Sequence, residues 1–98
     1  MQNVNNFSLL APMINIHGYR ELNYSSFQKE MDSHFANSEL KDIEIALKVG
    51  LKSTATVRNA FRTDTQIVSD EVMTKIMKLI NIEGFILWVE GTRYYYVK

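Results

Sequence analysis

One glycine, Gly50, constrains the fold of this chain more than any other residue. It follows a segment, Leu40–Val49, whose apolar residues recur at helical spacing, and it precedes a polar segment that begins at Ser53. Glycine readily adopts the left-handed conformation that ends a helix, whereas other residues adopt it only with strain. Ser53 or Thr54 can then cap a second helix. The sequence therefore predicts two short helices joined by a glycine turn.

Each of the two predicted helices has a face that should point into the protein. The inward stripe of the first helix is predicted at Leu40, Ile43 and Leu47. The residues that flank this stripe are Ile45, Ala46 and Val49. The inward residues of the second helix are predicted to be Val57, Ala60 and Phe61. Because Ala46 is small, the second helix could cross the first closely.

Two segments of the chain carry a family resemblance. In the first, the order is Ala46, Gly50, Leu51, Ser53 and then Thr56-Val57. This order resembles the helix-turn-helix of the lambda-repressor-like DNA-binding superfamily, including the headpiece of lac-repressor-type regulators. In those proteins a small residue, three residues, a glycine, an apolar residue and a polar cap precede Thr-Val or Thr-Ile. Here the turn is one residue longer, so that Ser53 rather than Lys52 is the cap.

The second segment is Val68–Phe85, which reads VSDEVMTKIMKLINIEGF. It is similar to the Val-Ser-Asp-Glu-Thr helix that ends in Gly-Tyr in the same regulators. Together the two segments imply a mainly α fold, a four- or five-helix lambda-repressor-like helix-turn-helix domain with an added C-terminal β-hairpin. The expected organisation is a partly ordered N-terminal arm over residues 1–23, the helical domain over 24–84, and the hairpin over 85–98.

The distribution of charge supports this interpretation, although the formal net charge of the chain is zero. Residues 41–62 hold five basic and two acidic residues, residues 1–40 hold two and four, and residues 63–98 hold four and five. The positive surplus is thus confined to the proposed DNA-facing unit, where phosphate neutralisation would need it. The alternative is an ordinary solvated helix face.

The second helix of the pair supplies the candidate DNA contacts. Arginine can hydrogen-bond guanine through two parallel bonds and asparagine can do the same with adenine, so Arg58 and Asn59 are predicted to read bases. Lys48, Lys52 and Arg62 are predicted to contact phosphate. The short hydroxyls at the start of the helix, which could donate to DNA or serve as caps, are Ser53, Thr54 and Thr56.

Two further helices are expected. In the first, Tyr24–Ala36, Ser25 and Gln28 have capping-box spacing, and an apolar stripe includes Phe27 and Met31. The other begins after a cap at Ser69 and ends at Gly84. Met13–His17, which follows a proline, could be a short strand or an extended arm.

The C-terminal segment FILWVEGTRYYYVK changes to strand-forming residues. A type II′ turn at Gly91-Thr92 would place Glu90 opposite Arg93; a turn at Glu90-Gly91 would lose that charge pair. Alternation predicts two apolar faces. The first face holds Phe85, Leu87, Val89, Tyr94 and Tyr96, and the second holds Ile86, Trp88, Tyr95 and Val97.

One face of such a hairpin can be covered by the protein's own helices, which leaves the other to be covered by something else. The N-terminal segment and a second subunit are both candidates, and in a dimer Ile86, Trp88, Tyr95 and Val97 would form the contact. A third possibility is a wing whose Arg93 and Tyr94 touch the DNA backbone, although its tip is not strongly basic.

We expect a sequence-specific double-stranded DNA-binding protein, a small bacterial or phage-type transcription regulator that acts as a homodimeric repressor. The alternative is a protein-interaction module that uses the same scaffold and the aromatic hairpin. An enzyme is not expected, since the chain has no cysteine, no histidine beside an acid and no glycine-rich phosphate loop. We likewise expect no cofactor, metal, membrane or small-molecule partner, and a cytoplasmic location.

Overall fold

Four helices and three strands make up residues 16–98, the part of the chain that the structure, a computed structural model, describes. The fold is mixed α and β: a helical unit is packed against a three-stranded antiparallel sheet. Of the predicted arm over residues 1–23, residues 1–15, with most of the Met13–His17 segment, lie outside the described residues. The elements are β1 (Arg20–Leu22), α1 (Tyr24–Ser38), α2 (Asp42–Val49), α3 (Thr54–Asn59), α4 (Asp70–Leu79), β2 (Gly84–Val89) and β3 (Thr92–Val97).

The predicted pair of helices around Gly50 is confirmed. Gly50 has a φ of 80°, in the left-handed region, and ends α2. The N–H of Leu51 then donates back to the carbonyl of Ala46 over 2.9 Å, which satisfies a carbonyl that the helix end leaves open. Ser53 caps α3, because its Oγ accepts a hydrogen bond from the N–H of Ala55 over 3.1 Å.

The predicted inward stripe is wrong at Ile43 and Leu47, although its third member, Leu40, packs against the core just before α2. Ile43 and Leu47 are 51% and 75% exposed, whereas the predicted flank, Ile45, Ala46 and Val49, is buried. The three buried residues lie on the side of the helix that meets α3 and α4. Ala46 is only 3% exposed at this crossing, as its small side chain suggested.

Helix α1 begins one residue before the predicted cap. Oδ1 of Asn23 accepts from the N–H of Ser26 over 2.8 Å, so that Asn23, and not Ser25, is the N-cap. The Gln28 side chain instead donates to the carbonyls of Phe61 (3.0 Å) and Thr63 (2.8 Å). Gln28 therefore ties α1 to the residues that follow α3.

The hairpin turns at Glu90-Gly91, and the predicted turn at Gly91-Thr92 is wrong. Both turn residues have positive φ, 50° and 80°, as a type I′ turn requires. Trp88 consequently lies opposite Arg93, and Val89 lies opposite Thr92. The observed register differs from the predicted one by two residues, and because side chains alternate with a period of two, the predicted faces are unchanged.

The sheet has a third strand that the sequence did not indicate. β1 pairs with β3, giving the order β1-β3-β2, with Glu21 opposite Tyr96. One side of this sheet packs on the helices, where the ring of Phe27 stacks on Tyr95 with 4.2 Å between centroids. On the other side, Tyr19 packs edge-on against Phe85 at 5.1 Å. Tyr19, directly before β1, thus covers part of the face that holds Phe85 and Tyr96.

Candidate nucleic-acid interface

Helix α3 is held by one side and presents the other to solvent. Val57 on the helix, and Ala60 and Phe61 directly after it, are 2% exposed or less and lie in the core. None of the eight predicted DNA-contacting residues is buried. Those that are exposed are Lys48, Lys52, Ser53, Arg58, Asn59 and Arg62, and those that are half-buried are Thr54 and Thr56. The helix therefore offers a polar surface that a groove of DNA could receive.

Ser53 and Ala55, at the start of α3, differ in whether their side chains are already engaged within the protein. The Oγ of Ser53 already accepts the Ala55 N–H, so its role as a cap is established. Ala55 itself is exposed in the first turn of α3. No motif in the sequence marks Ala55, although a small apolar side chain at such a position can contact the methyl group of thymine.

Arg58 is anchored at one atom. Its Nε donates to Oδ2 of Asp42 over 3.1 Å, and the two side chains are 54% and 23% exposed. Among the described residues, the two terminal nitrogens of the guanidinium make no hydrogen bond. Asp42 lies in the first turn of α2, so the pair links the start of one helix to the last turn of the other.

Arg62 is anchored in the same way and is also stacked. Its Nε donates to Oδ1 of Asp32 over 3.1 Å. Its guanidinium carbon lies 5.5 Å from the ring centroid of Phe35 and 5.3 Å from that of Phe61, within the range of a cation–π interaction. The side chain is 37% exposed, so part of Arg62 remains open to solvent although the guanidinium is largely held in place.

The two lysines carry the unpaired positive charge of this surface. Lys48 and Lys52 are exposed, and neither lies within ion-pair distance of a carboxylate in residues 16–98. Asp42 and Asp32 balance the charges of Arg58 and Arg62. The uncompensated positive charge of this surface therefore lies on the lysines, whereas each arginine is already paired with a carboxylate.

The residues predicted as dimer or partner contacts are mostly used inside the protein. Tyr95 and Val97 are 3% and 1% exposed in the core, and Ile86 packs against that core. Their face of the hairpin meets α1 and α4, so Tyr95 and Val97 are covered by the protein's own helices. Trp88 alone of the four is largely exposed, at 56%.

Arg93, which the wing hypothesis placed on DNA, is bound within the protein. Its Nε lies 3.1 Å from Oδ1 of Asp70, an ion pair that lacks the alignment of a hydrogen bond. Its guanidinium also lies 4.5 Å from the ring centroid of Trp88. Gln66 donates to the same Asp70 oxygen over 2.7 Å and accepts from the hydroxyl of Tyr95 over 2.9 Å. These contacts connect the hairpin to the loop after α3.

A small cavity of about 170 Å³ lies beside this network, between the 64–66 loop and the sheet, and Tyr24, Arg93 and Tyr95 contribute to its lining. It is smaller than typical ligand pockets, which measure about 300 to 1,000 Å³. Burial raises the pKa of the Tyr24 and Tyr95 hydroxyls. The Tyr24 hydroxyl makes no hydrogen bond among the described residues, although Thr63 lies close enough to lower its pKa somewhat.

Within residues 16–98, no group of three or more histidine and acidic side chains is arranged to hold a metal ion. No helix in that range has the length and apolar character needed to cross a membrane. Comparison of the chain with known protein families, with curated proteins and with solved structures finds no match.

Proposed function

We propose that this chain is a sequence-specific double-stranded DNA-binding protein, a small transcription regulator of bacterial or phage type that represses by occluding a promoter. The observation that carries the proposal is the placement of α3. Its apolar side is fixed in the core by Val57, while Arg58 and Asn59 face solvent. A recognition helix needs this combination of a rigid base and an exposed polar side.

An α-helix such as α3 fits the major groove of B-DNA, since its diameter with side chains is about 10 to 12 Å and the groove is about 12 Å wide. The resemblance of the segment around Gly50 to lambda-repressor-like domains supports the same interpretation. A homodimer would place two copies of α3 in major grooves about one helical turn apart.

Selection of bound duplexes from a random pool, followed by a salt titration in a mobility-shift assay, tests the proposal. Contacts from Lys48, Lys52 and Arg62 to three phosphates give a slope of log K against log salt of about −3 for each subunit. We expect Arg58→Ala to lower affinity for the selected duplex by roughly 1 to 3 kcal/mol and to relax sequence preference.

Arg20→Ala is the matched control for Arg58→Ala. Arg20 is also 54% exposed and also lies 3.1 Å from a carboxylate, that of Glu30, but it is in β1. This variant should bind DNA as the unmodified protein does. If the unmodified protein binds no duplex at low salt, the proposal is wrong.

A protein-interaction module is the second candidate, and the exposed apolar side chains favour it. Leu47 and Ile43, one turn apart on α2, are 75% and 51% exposed, and Trp88 is 56% exposed. Apolar side chains that adjoin one another on a surface mark interaction sites, which single ones do not. If this candidate is right, Leu47→Lys or Trp88→Ala should abolish a measurable association while Arg58→Ala leaves it intact. Sedimentation of the purified chain over a range of concentrations would show whether the partner is a second copy.

A further inference from the structure

We infer that Asp42 is a positioning residue for base recognition, which holds Arg58 so that its two terminal nitrogens are presented to the N7 and O6 atoms of a guanine. The inference rests on the proposed function and deepens it, because it assigns to α3 a preference for one G·C pair. It also gives a role to an acidic residue on a surface that should attract a polyanion.

The hydrogen-bond geometry of the pair is the first support. A carboxylate can bind a guanidinium through the Nε side or through the end that carries both terminal nitrogens. Asp42 uses Nε, with a single bond of 3.1 Å to Oδ2. The end of the Arg58 guanidinium therefore keeps its donors for two parallel bonds, and guanine offers two acceptors at matching spacing in the major groove.

The placement of Asp42 is the second support. Its side chain is 23% exposed and belongs to the first turn of α2, which packs on α3. A free surface arginine samples many rotamers and loses that freedom when it binds. An arginine already held by a fixed carboxylate loses less, so its contact with guanine forms at a smaller entropic cost.

The charge of Asp42 should add to the discrimination. A carboxylate close to the groove repels phosphates, and this repulsion acts on every DNA sequence alike. The contact between Arg58 and guanine offsets it only where a guanine stands in the right place. Asp42 should therefore weaken binding to unrelated DNA more than binding to the target.

The pair of Arg62 and Asp32 can be compared with the pair of Arg58 and Asp42 in the same protein. Their bond has the same length, 3.1 Å, and also uses Nε. Arg62, however, follows the end of α3 and lies against two aromatic rings, a position suited to phosphate. Removing the charge of Asp32 should therefore strengthen binding to all duplexes without changing the preference for guanine.

The experiment compares duplexes that differ at one atom. The probe is the duplex selected from a random pool, and in a second probe the guanine that the selection identifies is replaced by 7-deazaguanine, which lacks the N7 acceptor. For the unmodified protein we expect the second probe to bind at least five-fold more weakly. Asp42→Asn should reduce this ratio at least three-fold, while its affinity for an unrelated duplex stays equal or rises.

Two comparisons separate positioning from a general structural effect. Asp32→Asn should leave the ratio unchanged, and Asp42→Asn should have no further effect on the ratio in an Arg58→Ala background. A merely structural loss would lower affinity for both probes equally. Asp42→Glu keeps the charge but moves it by one methylene, and it should lower the ratio by a smaller factor. If the urea midpoint of Asp42→Asn shows that this variant folds poorly, Asp42→Glu replaces it in the test.

The outcomes are distinct. If the protein binds the selected duplex but Asp42→Asn keeps the unmodified ratio, or no guanine responds to the loss of N7, the inference is overturned and the proposed function stands. If the unmodified protein binds no duplex at low salt, the proposed function is overturned and the inference with it.

Discussion

The indole N–H of Trp88 donates a hydrogen bond to Oδ2 of Asp70 over 2.6 Å. The other oxygen of the same carboxylate lies 3.1 Å from Nε of Arg93, the residue opposite Trp88 in the hairpin. Asp70 is the first residue of α4, where the helix dipole favours a negative charge. One carboxylate thus links both strands of the hairpin to the start of α4.

Replacing Asp70 by alanine should lower the free energy of unfolding by about 1 to 2 kcal/mol, since it removes charged hydrogen bonds from Trp88 and Gln66. The value is moderate because Trp88 is more than half exposed. Urea unfolding followed by the fluorescence of Trp88, the single tryptophan, measures both the stability and the local change.

Glu71→Ala is the control for Asp70→Ala. Glu71 lies in the same first turn of α4, but it is 79% exposed and its ion pair with Lys75 spans 3.7 Å. Its removal should cost less than about 0.5 kcal/mol. Equal losses for the two variants would mean that the contacts of Asp70 with the hairpin contribute nothing measurable.

The buried Tyr95 and the half-buried Tyr24 should respond differently to loss of the hydroxyl. Tyr95→Phe breaks the bond to Gln66 and leaves the acceptor without its donor, so we expect a loss of about 1 kcal/mol. Tyr24→Phe removes a hydroxyl that has no hydrogen bond among the described residues, so the variant should be as stable as the parent or more stable. Thermal unfolding of the two variants checks this order, and the reverse order would contradict it.

Stability should fall at alkaline pH. Burial raises the pKa of Tyr24, Tyr95 and Tyr96 in the folded protein, the last also through the carboxylate of Glu21. Below about pH 10 these hydroxyls are protonated in both the folded and the unfolded protein, and their full contribution to the free energy of unfolding is present. Above that value the unfolded chain releases protons that the folded protein retains, so the free energy of unfolding decreases as pH rises.

Urea midpoints between pH 8 and pH 11.5 measure this dependence. In Tyr24→Phe the urea midpoint should decline less steeply with pH, because one hydroxyl with a raised pKa is absent. A flat profile across this range would contradict the assignment of the raised pKa values.

Two glycines should tolerate alanine unequally, for different reasons. Gly50 has a φ of 80° and no neighbouring atom within 4 Å of the place that a Cβ would take, so Gly50→Ala should cost about 1 to 2 kcal/mol of backbone strain alone. A Cβ at Gly84 would overlap the carbonyl oxygen of Tyr96 in the neighbouring strand. Gly84→Ala should therefore be the more destabilising variant, with loss of pairing between β2 and β3.

Hydrogen exchange of the β2 and β3 amides separates the two effects. Gly84→Ala should speed exchange in the hairpin, whereas Gly50→Ala should speed it around α2 and α3. Asn at position 50 should recover part of the stability, because asparagine tolerates the left-handed region better than alanine.

Local signals in the sequence were sufficient for the helix pair. Gly50 and Ser53 determine where α2 ends and where α3 is capped through contacts within a few residues, and both were predicted. The inward side of α2 was not predicted, because the sequence offers two apolar pairs at helical spacing, Ile43 with Leu47 and Ile45 with Val49. Only the crossing of α3 and α4 decides between them, and that is a tertiary effect.

The hairpin register shows a competition between two local rules. An ion pair between Glu90 and Arg93 favoured one turn, but the twist of paired strands favours a type I′ turn with two positive φ angles. Surface ion pairs contribute little, so the backbone preference prevails. β1 could not be predicted, since the segment Arg-Glu-Leu has no strand character and becomes a strand only because β3 offers a free edge.

The candidate interface was predictable in composition but not in organisation. Arg58 and Asn59 were singled out from residue type and position, and the structure leaves both exposed. The partner of Arg58 is sixteen residues away in another helix, and no periodic pattern connects the two. In the sequence, Asp42 is therefore only one of two acidic residues that reduce the positive charge of residues 41–62.

The central position of β3 also has a kinetic consequence. Its pairing with β1 joins Glu21 to Tyr96, which are 75 residues apart, whereas α2, the Gly50 turn and α3 contact one another within about twenty residues. Contacts at large sequence separation must overcome the entropy of closing a long loop and slow the folding of small domains. We therefore expect the helices to associate early and the sheet to close last. Substitutions in β1 should then destabilise the folded protein while leaving the folding rate almost unchanged, which corresponds to kinetic φ-values near zero.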